Sequence, residues 1–368
     1  MSQKIAGANE RRRPTDRDKH AGRAAAGAVA LAALSMGCLS FASTRAYGSA
    51  TPTIQKSAVQ STKTNHIPIN NGQDVSTDKE GTGVRAVAFS YDSKYLAAAK
   101  RNGRTSVWAV PSYRLKFTLR DPASRGVNAV AFSHNDAHLA TGDGDGHIYL
   151  WVRDHIQVQL ADPASKGVNG LAFTPNSNYL AAGDANGRIY IWSLATDAIV
   201  ATLRDPRSEG VNAVAFSFDD KYLAAADRNG RTYVWATPAD IVAARLHDPA
   251  SRGVNAVAFS RNGKVLAAGD RNGNVYLWAH LHARKLADPV SKGVDAVAIT
   301  PNSRYMATGD ANGRIYIWSL AEHKVIAIVT DPHVKAVNAV AFAPDGKYLV
   351  SGNANGRTYL TSVSSVGA

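Results

Sequence analysis

The sequence predicts an all-β chain closed into a ring of seven four-stranded antiparallel sheets, and three observations predict it. One segment is written seven times: Gly-Val-Asn-Ala-Val-Ala-Phe-Ser, a Tyr-Leu-Ala-Ala-Gly-like run, then Asn-Gly-Arg-Ile-Tyr-Ile-Trp. It opens at Gly83, Gly126, Gly167, Gly210, Gly253, Gly293 and, with alanine substituted, Ala336. Successive openings lie 43, 41, 43, 43, 40 and 43 residues apart. Each copy alternates short β-branched and aromatic runs with Gly, Asn and Asp turns, the pattern of consecutive short strands. A unit of that size cannot cover both faces of its own sheet, so neighbours must stack to complete a core. A period in the low forties built from short strands is that of a seven-bladed β-propeller.

Within a blade, Val127–Phe132 is the first strand, bounded by Gly126 and a polar turn. His138–Gly142 and Ile148–Trp151 follow as the second and third, joined at Asp145-Gly146. The other six units carry Asn-Gly there: Asn102-Gly103, Asn186-Gly187, Asn229-Gly230, Asn272-Gly273, Asn312-Gly313 and Asn355-Gly356. Both dipeptides tolerate positive φ, which predicts a two-residue type I′ hairpin. A fourth strand, as in Tyr113–Leu119 or Ala198–Leu203, ends at an Asp-Pro pair, at Asp121, Asp162, Asp205, Asp248, Asp288 and Asp331. Proline lacks the donor that a ladder requires, so it closes the strand. Alanine and glycine crowd the first two strands, nearest the axis, while the bulky tryptophan at the end of the third fills the wider outer gap.

The Phe-Ser/Thr stretch, the Leu-Ala-Ala/Thr-Gly strand, the Asn-Gly turn and the terminal Trp108, Trp151, Trp192, Trp235, Trp278 and Trp318 resemble the unit of the WD40-repeat propeller family, over roughly residues 66–363. The departures are an Asp-Pro-x-Ser-x-Gly stretch in place of the family's Gly-His, asparagine for the turn aspartate except at Asp145, and Thr361 in place of the last tryptophan. The family's His–Asp–Ser–Trp hydrogen-bond network is therefore not carried over. Variants of this Asp-Pro kind look like bacterial, particularly actinobacterial, WD repeats.

The chain ends soon after the third strand of its last unit, so the ring needs a strand from elsewhere. Residues 67–77 precede Asp78, which stands before Gly83 as Asp121 stands before Gly126. Ile67–Thr77 is expected to complete blade seven, within a propeller domain of 66–368; unpaired, that edge would be an aggregation hazard.

The first 65 residues differ in composition. A basic segment (1–23) with Arg11, Arg12, Arg13, Arg17, Lys19 and Arg23 precedes an uncharged run over 24–42. A helix there would reach about 28 Å, close to a hydrocarbon core of about 30 Å. With the small residues up to 50, the stretch 24–50 reads as a signal peptide or membrane-anchor helix, and 51–65 as a disordered, flexible linker. Basic residues favour the cytoplasmic side, which places the propeller outside the membrane. Cys38, the only cysteine, sits in a context resembling a lipoprotein signal and is a candidate for lipidation. The propeller depends on no disulfide.

Formal net charge is +13, yet residues 1–65 hold ten Lys/Arg against three Asp/Glu. The propeller is only mildly basic, and its aromatics repeat with the blade period, so nucleic acid is not an expected partner. One charge pattern recurs. Arg104, Arg188, Arg231, Arg314 and Arg357 stand just past the turn, and Asp184, Asp227, Asp270 and Asp310 two residues before its asparagine. Arg125, Lys166, Glu209, Arg252, Lys292 and Lys335 stand on the connections entering six of the blades. All three sets share one face. Either they form an inter-blade ion-pair belt, or they are a docking face for an acidic peptide or an anionic cell-wall polymer, with arginines giving bidentate contacts.

The sequence holds no Gly-x-Ser-x-Gly elbow, phosphate-cradling loop or kinase motif. The Asp-x-Asn-Gly sequences lack the downstream glutamate of a calcium loop and are better explained as turns, and His280-x-His282 lacks a third ligand. No catalytic residue, metal or cofactor is expected. The reading is a monomeric, non-catalytic scaffold or sensor that presents a binding surface to a protein, outside the cytoplasmic membrane; a sensor arm serving a membrane kinase is one form of it. The alternative is a propeller hydrolase or oxidoreductase with a ligand in the central channel.

Overall fold

The computed structural model describes residues 65–68, 73–75, 82–122, 124–161, 165–237, 241–247, 251–279, 282–287, 291–330 and 334–363. The basic segment, the apolar segment with Cys38 and all but the last residue of the linker lie outside the described residues, as do Asp78 and four of the Asp-Pro pairs. Seven sheets are present. Blade one comprises Val84–Phe89, Tyr95–Lys100, Arg104–Ala109 and Leu115–Arg120 in antiparallel order. Blades two to six repeat this order, with first strands Val127–Phe132, Val168–Phe173, Val211–Phe216, Val254–Phe259 and Val294–Ile299. Blade seven begins at Val337–Phe342.

Small residues set how closely blades approach. A Cβ on Gly183, in the second strand of blade three, would lie 2.4 Å from a methyl of Val211, which opens blade four. The opening valines Val84, Val127, Val168, Val211, Val254, Val294 and Val337 are all buried, each burial worth about 1.5–3 kcal/mol. The six terminal tryptophans are buried too, filling the gap that widens away from the axis.

One irregularity recurs in every blade. The residue after the opening valine is skipped in the ladder: Val127 pairs with Asp143 and Ala129 with Gly142, leaving Asn128 unpaired. The same shift occurs in the other six first strands. A bulge re-aims its extra side chain, and here it turns each asparagine toward the following blade. Nδ2 donates from Asn128 to the Val168 carbonyl (3.1 Å), Asn169 to Val211 (2.9 Å), Asn212 to Val254 (2.8 Å) and Asn255 to Val294 (3.1 Å). Asn338 donates to Val84 at 2.6 Å, joining blade seven to blade one.

The turn between second and third strands differs from the expected two-residue type I′ hairpin. Only its glycines take positive φ, between 77° and 95°, and the preceding asparagines do not. The Gly187 N–H donates to the Asp184 carbonyl (3.3 Å), a type I turn followed by a left-handed glycine. Every blade forms it: in blade three Asp184 Oδ1 also accepts the N–H groups of Asn186 (2.9 Å) and Arg188 (2.8 Å), and in blade one, where Lys100 takes the place of the aspartate, the Gly103 N–H still donates to the Lys100 carbonyl (3.3 Å).

Ring closure also departs from expectation. Asn65–Pro68 does not join blade seven; it lies parallel to Lys324–Thr330 as a fifth strand of blade six. Among the described residues of this segment, Gln73–Asp74 pairs with Thr358–Ser362 of blade seven, extended by the Val75 N–H to the Thr358 carbonyl (3.0 Å) and by the buried Val75 side chain. Residues 67–77 contain few strand formers, and the upstream Asn65–Pro68 pairs with the edge of the neighbouring blade instead.

Replacing Asn338 by alanine removes the hydrogen bond across the closure. Urea unfolding of Asn338→Ala is expected to show a loss of about 1–2 kcal/mol; an unchanged midpoint would show that the bond adds nothing to closure.

Candidate binding face around the axial channel

The bulged residues form a ring at the channel mouth on the face that carries the second-to-third-strand turns: Arg85, Asn128, Asn169, Asn212, Asn255, Asp295 and Asn338. Below them the wall is small and apolar, from Ala86 and Val87 round to Ala339 and Val340, around a cavity of about 210 Å³. Two members break the asparagine pattern. Arg85 donates from Nη1 to Asn128 Oδ1 at 2.8 Å. Asp295 accepts from Asn255 Nδ2 at 3.1 Å, and burial together with the nearby Asp310 charge pushes its carboxyl up to about 6.

A second set of arginines reaches the same mouth from the residue after the buried turn position. Arg228 Nε donates to Asn212 Oδ1 (3.1 Å), and Arg271 Nε to Asn255 Oδ1 (3.2 Å). Arg101 occupies the equivalent place in blade one, and its charge adds to burial in lowering the Arg85 guanidinium from its ordinary value. The other blades have Gly144, Ala185, Ala311 and Ala354 there. The mouth therefore carries Arg85 and Arg101 on blade one, Arg228 and Arg271 on blades four and five, and a single facing carboxylate, Asp295. Sequence reading missed these arginines. The signal that would have found them is the two positions where repeats diverge, after the opening valine and after the turn aspartate.

The charge ring expected from sequence is divided by the structure. Asp184, Asp227, Asp270 and Asp310 are only 0–1% exposed, so they are not surface groups for a partner. Their carboxylates hold the turn and, in two blades, the inbound connection. Asp227 Oδ1 accepts from the Glu209 N–H at 3.1 Å and Asp310 Oδ1 from the Lys292 N–H at 3.3 Å, while their second oxygens take the Ser208 and Ser291 hydroxyls. Arg104, Arg188, Arg231 and Arg314 are half-buried at the start of the third strands, and Arg357 is exposed. Arg188 and Arg357 reach the hydroxyls of Tyr190 (3.1 Å) and Tyr359 (3.0 Å) on their own strands. Lys166, Arg252 and Lys292 are exposed, and Arg125 makes a solvent-facing pair with Asp145 at 3.2 Å. The outward-facing part of the face is thus predominantly cationic.

A buried polar network that the sequence reading did not carry over is present in shortened form. In blade two, Trp151 Nε1 donates to Thr141 Oγ1 (2.9 Å), whose hydroxyl donates to Asp121 Oδ1 (3.0 Å). Asp121, the aspartate of an Asp-Pro pair, stands where a histidine would otherwise close the network. Trp318 and Thr308 repeat the first link at 3.0 Å. Where alanine replaces the threonine, at Ala98 and Ala182, Trp108 Nε1 and Trp192 Nε1 are buried with no hydrogen-bond partner among the described residues. Burial raises the Asp121 carboxyl to about 7, the Thr141 hydroxyl opposing and the Asp143 charge adding. Asp205, at the matching place between blades three and four, goes the other way. Burial pushes it up, but the Arg207 N–H and the Arg245 guanidinium, 2.6 Å from Oδ2, hold it below the ordinary carboxylate range.

Two predictions follow from this network. The folded value of Asp121 lies above its unfolded value near 4, so its contribution is full below about pH 4 and lost as pH rises to about 7. Asp121→Asn keeps an acceptor for Thr141 and removes the titration. In urea unfolding it is expected to match the parent at pH 4 and exceed it by roughly 1–3 kcal/mol at pH 8; a constant difference across that range would refute the assignment. Ala182→Ser offers Trp192 Nε1 an acceptor and is expected to raise stability by about 1 kcal/mol, read as a higher unfolding midpoint.

No curated protein matches the chain. A family model described as the IFT122 first beta-propeller matches residues 83–362, from the start of blade one to the end of the third strand of blade seven. The seven-bladed, WD40-like architecture and this match across most of the chain agree: the protein belongs to the IFT122 first beta-propeller family.

Proposed function

We propose that the propeller is a non-catalytic interaction module whose turn-bearing face captures an acidic segment of a partner protein. The fold is one that commonly mediates protein–protein interaction, and fold alone does not choose a surface. The observation that carries the choice is the channel mouth: Arg85 and Arg101 face Arg228 and Arg271 across it, with the turn aspartates buried and committed to backbone N–H groups. Carboxylates of an extended acidic peptide can bridge the two arginine pairs through charge-assisted hydrogen bonds. The exposed Arg125, Lys166, Arg252 and Lys292 surround this centre and favour encounter with a negative partner.

The test is titration of a fluorescent Glu-rich peptide into the full chain. Arg228→Glu with Arg271→Glu is expected to weaken binding roughly tenfold or more and leave the unfolding temperature nearly unchanged. Arg188→Glu with Arg314→Glu, farther from the mouth, should cost much less. Equal losses from both pairs would indicate diffuse attraction and overturn the mouth as the site, and turnover of an added cell-wall or sugar substrate would overturn the non-catalytic reading. The uncharged run over 24–42 behind a basic segment supports display of this face outside the cytoplasmic membrane. Protease treatment of intact cells is expected to remove the propeller; protection alongside a cytoplasmic marker would defeat that part.

A further inference from the structure

The other mouth of the channel is shaped by the loops between first and second strands. Their second residue is proline in blades three, six and seven, but Tyr91, His134, Phe218 and Arg261 in blades one, two, four and five. These four side chains meet. Tyr91 and His134 have ring centroids 5.0 Å apart, and Phe218 meets His134 edge-on at 6.0 Å. The Arg261 guanidinium carbon lies 5.5 Å from the Tyr91 ring centre and 5.6 Å from that of Phe218. Its Nη2 donates to the Tyr91 hydroxyl at 2.5 Å. Blades five and one are not neighbours in the ring, so this contact is made across the axis. A guanidinium is held between aromatic rings brought from different sides of the channel.

Core packing does not account for the arrangement. Tyr91 and Phe218 remain 36% and 37% exposed and belong to no blade core. Beneath them, His134, Phe173, Pro175, Phe216 and Phe218 line an apolar cavity of about 210 Å³. Two buried polar atoms here, His134 Nδ1 and Asp220 Oδ1, have no hydrogen-bond partner among the described residues. The Asp220 and Asp136 carboxylates both act on His134, so negative charge lies beside the aromatic rings. Aromatic faces, adjacent carboxylates and an unused acceptor suit a cation.

We infer that Tyr91, His134 and Phe218 form a binding site for an arginine side chain of a basic polypeptide, and that Arg261 occupies it as an internal stand-in for that ligand. A planar guanidinium lies within cation–π distance of two rings and still donates to the tyrosine hydroxyl, which a lysine ammonium does less well. Self-occupancy lowers apparent affinity by the fraction of time the site is open, so vacating the site should expose its intrinsic affinity. The site lies on the face opposite the arginine-lined mouth and takes ligand of opposite charge, so it stands or falls independently of the acidic-segment reading.

The experiment titrates blocked Gly-Arg-Gly, Gly-Lys-Gly and Gly-Glu-Gly peptides into the full chain, followed by NMR shifts of aromatic side chains. Arg261→Ala is expected to bind the arginine peptide at least tenfold more tightly than the parent, the lysine peptide more weakly than that, and the glutamate peptide not at all. Adding Phe218→Ala to Arg261→Ala should abolish the gain. No gain, equal binding of lysine or glutamate, or a gain that survives Phe218→Ala would overturn the inference and leave the cluster as a plug. Should Arg261→Ala fail to fold, Phe218→Ala alone decides: weaker binding of the arginine peptide than the parent supports the site, and unchanged binding refutes it.

Discussion

The structure depends on a forward handoff of hydrogen bonds between successive blades, seen among the described residues at every junction but that of blades six and seven. At one mouth the handoff runs through the bulged asparagines, whose amides donate to the opening carbonyl of the following blade. At the other mouth it runs through backbone N–H groups of the loops between first and second strands. Asp136 of blade two accepts from Tyr91 and Asp92 of blade one, Ser177 from Asn135, Ser303 from Asn262, and Ser93 from Asp345 of blade seven. Those acceptors hold left-handed backbone, with φ between 57° and 61°, which throws the side chain sideways toward the preceding blade. Each bond is worth about 1 kcal/mol, and their importance lies in direction. They set the order and tilt of sheets that apolar contact alone would leave free to slide.

Against this regular frame the buried polar positions are unequal. The first turn position is aspartate in blades two to six, but Lys100 in blade one and Asn353 in blade seven, all buried. Lys100 lies 5.9 Å over the Trp108 ring. The two blades that depart are those flanking the closure, where the repeat must accommodate a connection that arrives from the N-terminal side. The tryptophan networks vary in the same way, complete in blade two and, among the described residues, reduced to an indole without a partner in blades one and three. Seven copies of one motif therefore do not make seven equivalent sectors, and differences in charge gather near the axis.

The ring was legible in the sequence because its causes are local and repeated: period, opening valine, small second strand, terminal tryptophan. What was misread depended on partners that linear pattern does not display. The Asn-Gly pair taken alone suggests one turn, but in every blade the glycine N–H reaches back to the carbonyl three residues earlier, which makes another. The same aspartates looked like surface charge because charged residues are seldom buried; here four are almost fully enclosed. The asparagine at the bulge recurs in five of seven repeats, yet its role requires knowing that it leaves the ladder. The aromatic cluster around Arg261 joins residues 170 positions apart and has no signal in sequence at all. For the closing strand, the expected span Ile67–Thr77 was too long: the segment is poor in strand formers, and the structure divides it between blades six and seven.

Seen as an assembly, the chain is a cyclic heptamer fused into one polypeptide, with each protomer offering a donor on one side and its complementary acceptor on the other. Such head-to-tail interfaces have no built-in stop: they end only when rotation returns to the start. An incomplete fragment would keep one unsatisfied face of each kind, matched to the other by construction. Its natural fate is to add further fragments end to end, so the closing contact between blades seven and one separates a discrete particle from an open filament.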